Sequence, residues 1–296
     1  MTRPPFRRNS TSTPAHRLAP LCALLAALPF AALAQDSALP AVTVHAPAPA
    51  ALPLQPTPEA VAAQRATSAD TAALLRDITG LSLQSAGGLS SLPSVHGMTD
   101  DRLRIQLDGM DLVSSCGNHM NPPLSYVDPS RVSAVRVFTG TTPVSVGGDS
   151  IGASIQVDTA PPLFAAPGQG PITRGEVGAW TRSNGNGFGG HASATYATEQ
   201  LSLRYDGSTA QSDNYHAARA FKAAGPAGAD KPDRILAGDE VGSSSYLSRN
   251  QSLSLAFRGE ASLLGLEVGM QDVPYQNFPN QRMDMKRKDS NKVNMR

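Results

Sequence analysis

Leu103-Arg104-Ile105-Gln106-Leu107-Asp108-Gly109-Met110-Asp111-Leu112-Val113 is the stretch that decides the fold. Apolar and polar residues alternate from 103 to 107, the period of a strand with one buried face. Asp108-Gly109 supplies the dipeptide that closes a tight hairpin, and residues 110–113 give the returning strand. Upstream, Asp70 is a good N-cap for a short helix over 71–77, with Ala72, Leu75 and Ile78 at helical spacing and Gly80 as the stop. Leu81-Ser82-Leu83 reads as a strand and Gly87-Gly88 as a loop. Downstream, Asp128-Pro129-Ser130 starts a helical turn, residues 132–138 alternate as a strand, and the glycine-rich 147–152 leads into a last strand over 153–158. Residues 66–161 thus read as a small α+β domain.

Past Pro161-Pro162 the texture changes. Residues 175–181, 189–197, 201–209, 245–258 and 261–272 are alternating segments, each near the roughly ten residues of a tilted membrane strand. Thr198-Glu199-Gln200 reads as a short turn and 212–242 as a long polar loop, an asymmetry typical of outer-membrane barrels. From alternation alone a soluble antiparallel sandwich fits residues 162–296 nearly as well. With 26 Gly, 24 Pro, 17% charged residues and a net charge of +1, the chain is neither a coiled coil nor an electrostatic binder of nucleic acid.

Residues 1–34 have the three parts of a secretory signal. Arg3, Arg7, Arg8 and Arg17 form a basic start, residues 18–33 are apolar but interrupted by Pro20 and Pro29, and Ala32-Leu33-Ala34 fits the cleavage rule. Residues 35–65 are rich in Ala and Pro and read as a tether. Inside it, Leu39-Pro40-Ala41-Val42-Thr43-Val44 is a β-prone patch able to add to the edge of a partner's sheet, or else a chance cluster in a linker.

Cysteine is used twice, and Cys22 falls in the signal. The exported protein then keeps one thiol, Cys116, in the run Cys116-Gly117-Asn118-His119-Met120, and forms no internal disulfide. Thiolate and thioether ligands favour Cu(I) over hard ions, and zinc sites rarely recruit methionine. Cys116 and Met120 are the expected ligands, brought together by a helical turn or by a chain reversal at Gly117-Asn118, with His119 as a further contributor if Cu(II) is captured first. His96-Gly97-Met98 is a second soft pair or ordinary packing. Binding must release the thiol proton, so affinity falls in acid. No nucleophile elbow, phosphate-binding Gly-Lys loop, His-Glu-x-x-His or Cys-x-x-Cys is present, so no catalysed reaction is expected. Asp100, Asp101, Asp108 and Asp111 read as turn caps and salt-bridge partners.

The order Asp70-Thr71-Ala72-Ala73-Leu74-Leu75, Gly80-Leu81-Ser82-Leu83, the hairpin at 103–109, Arg136-Val137-Phe138-Thr139-Gly140 and the segment 147–159 resembles the plug domain of TonB-dependent outer-membrane receptors. The resemblance implies a plug over 66–161, followed by the first strands of an antiparallel transmembrane β-barrel of about 22 strands. It also implies an outer-membrane location among lipid, and TonB as partner through a box at 39–44. Asp108-Gly109-Met110-Asp111 followed by residues 116–126 is similar to the copper-receptor branch, which implies copper as cargo. Receptors of that branch pair the Cys-x-x-x-Met with a His-x-Met from the barrel. None follows residue 161, and Arg282-Met283-Asp284-Met285 comes nearest. A chain with five or six such strands is too short to close a barrel, so a truncated frame is expected. Alternatives are a receptor fragment without transport function, a receptor for a metal chelate or siderophore, and a secreted copper buffer; the last lacks the clustered histidines it needs.

Overall fold

The computed structural model describes residues 53–296 apart from 86, 141, 148–149, 229–230 and 280–282. The expected signal at 1–34 and the expected partner-binding patch at 39–44 lie outside the described residues.

The described chain starts earlier as a folded body than its composition implies. Residues 58–65, read above as the end of the tether, form helix α1 (Pro58–Arg65). Thr57 caps it by accepting from the Ala60 amide, and Pro58 sits at the first helical position, where its missing N–H costs nothing. One residue of α1, Val61, is buried in the core of the α+β domain. The expected helix at 71–77 is instead a 3₁₀ turn, Thr71–Leu75, capped by Asp70.

Two sheets surround these turns. A ribbon pairs β1 (Leu81–Ser85) with β2 (Ser91–Val95), and a four-stranded sheet contains β3 (Leu103–Leu107), β4 (Met110–Leu112), β5 (Val132–Thr139) and β6 (Ala153–Thr159) in the order β4-β3-β6-β5. Strands β3 and β6 are parallel; the other two pairings are antiparallel. The β3–β4 turn has Asp108 at φ +51° and Gly109 at φ +82°, the two left-handed residues of a type I′ turn. Asp108 also locks the sheet, because its carboxylate accepts from the Thr159 amide at 2.9 Å and the Thr159 hydroxyl at 2.8 Å. Leu74, Leu75, Val95, Ile105, Leu124, Val135, Ile155 and Val157 fill one core beneath the sheet.

Asp70 joins the 3₁₀ turn to β2. One carboxylate oxygen accepts from Ala72 N at 3.1 Å and the other from Ser91 N at 3.2 Å. Burial pushes its pKa up to about 6 from 3.8. The folded chain therefore keeps this proton at pH values where the unfolded chain has released it. This group's contribution to stability is full below pH 3.8 and is lost as pH rises through about 6. Asp70→Asn keeps an acceptor but cannot titrate. We expect the stability difference between wild type and variant, followed by thermal melting, to change across that window and to be flat above it. A constant difference would contradict the assignment.

Six antiparallel neighbours in the order β14-β13-β12-β9-β8-β7 form the second body, and β15 also pairs with β13. They are β7 (Ile172–Arg182), β8 (Gly187–Ala197), β9 (Leu201–Ser212), β12 (Tyr246–Arg258), β13 (Leu263–Phe278), β14 (Met283–Met285) and β15 (Lys288–Met295). All five expected strands are present. The expected loop at 212–242 contains an additional hairpin, β10 (Gly225–Gly228) with β11 (Lys231–Leu236), which its Pro and charged residues conceal.

The alternation decides between sandwich and barrel. On β12 the buried row includes Ser248 and Ser252, and on β13 it includes Gln271 and Gln276, while Leu253, Leu255, Phe257, Leu264, Leu266, Val268 and Met270 are exposed. A soluble sandwich buries its apolar face; here the polar face turns inward and the apolar face outward, as in a transmembrane barrel. No helix among the described residues is long and apolar enough to cross a membrane.

The α+β domain sits against the polar face. Arg131 Nη2 lies 2.7 Å from Glu267 Oε1, Ser208 Oγ donates to Asp128 at 2.6 Å, and Gln276 Nε2 donates to Ser90 Oγ. Lys292 Nζ donates to Tyr126 O at 2.9 Å. This inner domain is held to the strands by charge-assisted and amide hydrogen bonds, together with two small apolar contacts, Met120 against Phe278 and Leu89 against Tyr246 and Val273.

Candidate metal site

Strand β4 runs into a loop, 113–122, that has no regular secondary structure. Its closure comes from Ser114, whose hydroxyl lies 2.9 Å from Cys116 O and 3.0 Å from Asn121 O. Within it the His119 amide donates to Cys116 O at 2.9 Å, so Gly117-Asn118 form the middle of a reversal. Of the two ways to bring Cys116 and Met120 together, the chain uses the reversal. His119 pays for it with a left-handed φ of +50°.

The reversal places Cys116 and Met120 in one cluster with Phe278 and Met285 from the strands. Met120 is buried, while Cys116 and Met285 are half-buried. Met285 was visible in the sequence only as part of a motif lacking its histidine. The register carries it here: β13 extends to Phe278, β14 returns along it, and Gln276 pairs with Met285. Nothing local in the sequence signals that long-range pairing.

The other candidate ligands lie elsewhere. His119 is turned from the sulfur cluster toward Asp100, with Nδ1 3.8 Å from Oδ1, and it lines a separate cavity of about 320 Å³ with Arg104 and Asp111. Asp111 is tied to Arg104 at 2.7 and 2.8 Å, and that pairing holds its carboxyl below the usual range. His96 (φ +49°) and Gly97 (φ +81°) are the central residues of a tight turn in which Val95 and Met98 exchange backbone hydrogen bonds. The His96 ring covers Gly80, where an added Cβ would come within 2.8 Å of it. This pair therefore has a structural task. No group of three or more His, Cys, Asp or Glu among the described residues is arranged to hold a metal.

The next segment is clamped to the strands. Tyr126, at the end of the 3₁₀ turn Pro123–Tyr126, has its hydroxyl 2.5 Å from Ser115 Oγ, and Lys288 Nζ sits 4.2 Å from its ring. Met285 also faces a polar cavity of about 900 Å³ lined by Asn184, Asn214, Tyr275, Asn277 and Asp284. That cavity lies at the end of the sheet carrying the long 213–245 connection, opposite the short turns at 198–200 and 259–262.

A folded domain set against a sheet that is polar within and apolar without has the architecture of a plug and part of a β-barrel. Residues 57–154 match the family model described as TonB-dependent Receptor Plug Domain. The comparison with curated proteins gives no match. Among solved structures the chain is similar to "Copper transporter OprC", with a TM-score of 0.64 and 22% identity over 82% of this chain and 34% of that one. It is also similar to the FrpB iron transporter from Neisseria meningitidis (F3-3 variant), with a TM-score of 0.57 and 18% identity over 75% of this chain and 31% of that one. A third likeness is to the ferric enterobactin receptor PfeA in complex with BCV-L6, with a TM-score of 0.53 and 16% identity over 81% of this chain and 38% of that one. The chain spans about a third of the length of these structures. The likeness establishes the fold: a plug followed by the first strands of a receptor barrel.

Proposed function

We propose that this chain serves a TonB-dependent outer-membrane receptor for copper and binds Cu(I) through Cys116, Met120 and Met285. The observation that carries this reading is the convergence of one thiol and two thioethers, from plug and barrel, in a single cluster beside a polar cavity. Sulfur ligands of this kind match a soft monovalent ion, and with Cys116 as thiolate the loaded site is neutral. The similarity to a copper transporter points the same way. A receptor for a ferric chelate makes no use of these three sulfurs.

Because the ligands come from two bodies, motion of the plug separates Cys116 and Met120 from Met285. Energy from TonB, delivered through residues 39–44, then lowers the ligand count and releases the ion inward. Anaerobic competition titration of the purified protein is expected to show tight Cu(I) binding that Zn²⁺ does not displace. Equal retention of both ions contradicts the reading. Deleting residues 39–44 is expected to stop copper uptake by cells while leaving Cu(I) binding intact. Continued uptake shows that the segment is only tether.

A further inference from the structure

Asn121 follows Met120 and is 7% exposed. Its main-chain carbonyl is fixed by Ser114, and its side-chain Nδ2 donates to Met285 Sδ at 3.5 Å, across the boundary between plug and barrel. Its Oδ1 is buried and has no hydrogen-bond partner among the described residues. Leaving a buried carbonyl oxygen unpaired costs stability, so an apolar residue of similar volume suits folding better. A buried amide kept under those terms calls for a functional explanation.

We propose that Asn121 is a positioning and specificity-determining residue of the sulfur site, an inference that rests on the copper reading above. A thioether sulfur has two lone pairs. An N–H on one of them orients Met285 toward Cys116 and Met120 and leaves the other free for the ion. Asn121 is also neutral, so the only charge among these groups is the Cys116 thiolate. That balance fits a monovalent ion. A carboxylate at the same position lacks the N–H and adds a second negative charge, which favours divalent ions.

The test compares wild type with Asn121→Leu, Met285→Leu, the double variant and Asn121→Asp, using Cu(I) and Zn²⁺ as probes. Cu(I) affinity is read by competition with a chromogenic chelator, and the number of sulfur ligands by X-ray absorption at the copper edge. Asn121→Leu is expected to weaken Cu(I) binding about tenfold, within the range for outer-shell partners, and to remove one sulfur from the shell. Met285→Leu gives the same spectrum, and the double variant is no weaker than the weaker single one, since both act through one contact. Asn121→Asp shifts the Cu(I)-to-Zn²⁺ preference about tenfold toward zinc. If Asn121→Leu does not fold, Asn121→Ser carries the same expectation. A full sulfur shell with wild-type affinity in the folded variant overturns the proposal while leaving the copper reading intact. Failure of the wild type to hold Cu(I) overturns both.

Discussion

Replacing Cys116 by serine is expected to strip copper from the purified protein. The substitution removes one atom's identity and little else. The hydrogen bonds that shape the loop at this residue use its main-chain N and O, with Ser114 and His119 as partners, so the reversal survives. What is lost is the only anionic ligand. A serine hydroxyl stays protonated at neutral pH and is a hard donor, leaving two neutral thioethers to hold the ion. The affinity loss should exceed the roughly 10–100-fold typical of outer-shell changes. Folding should shift by no more than about 0.5 kcal/mol, as for a substitution that leaves packing and hydrogen bonds in place. Undiminished copper in Cys116→Ser removes the thiolate from the account.

The second large effect concerns how the plug stays in place. Arg131 is 8% exposed and reaches Glu267 at 2.7 Å and Asp206 at 3.9 Å. Removing one partner of a buried pair leaves an uncompensated charge, at a cost of about 3–5 kcal/mol. The remaining contacts identify which charge suffers. Asp206 keeps Arg204 at 2.7 Å, whereas Glu267 keeps the Ser254 hydroxyl at 3.3 Å and only the field of Lys292 and Arg204 beyond it. Arg131→Ala should therefore destabilise the plug in its barrel by about 3 kcal/mol. It should be seen as a lower melting temperature and faster proteolysis of the plug in detergent. Adding Glu267→Gln should restore part of the loss, because the carboxylate that lost its direct partner is then gone. A double variant as unstable as Arg131→Ala contradicts this account of the interface.

The same contrast between local and distant causes explains what the sequence reveals. The hairpin at Asp108-Gly109 is legible because a type I′ turn needs two left-handed residues and the dipeptide supplies them. The barrel strands are legible because an outward apolar face and an inward polar face against the plug require alternation along β8, β9, β12 and β13. Helix α1 is hidden because Pro58 and the alanines around it look like linker, although a proline at the helix start is favourable. Strand β2 is hidden by Pro93, which a central strand excludes but a two-stranded ribbon accepts opposite Leu83. In the site, Cys116 and Met120 announce themselves by spacing. Met285 does not, because its place depends on the register of two strands far along the chain. Asn121 does not, because a buried amide on sulfur leaves no pattern in the sequence. His119 is the opposite case, an imidazole in the same short run as Cys116 and Met120 whose side chain the reversal turns toward Asp100.

X-ray absorption at the copper edge of the intact, Cu(I)-loaded wild-type protein tests the central claim most directly. The account predicts a shell of sulfur neighbours containing one thiolate and two thioethers. A shell of nitrogen and oxygen alone contradicts it.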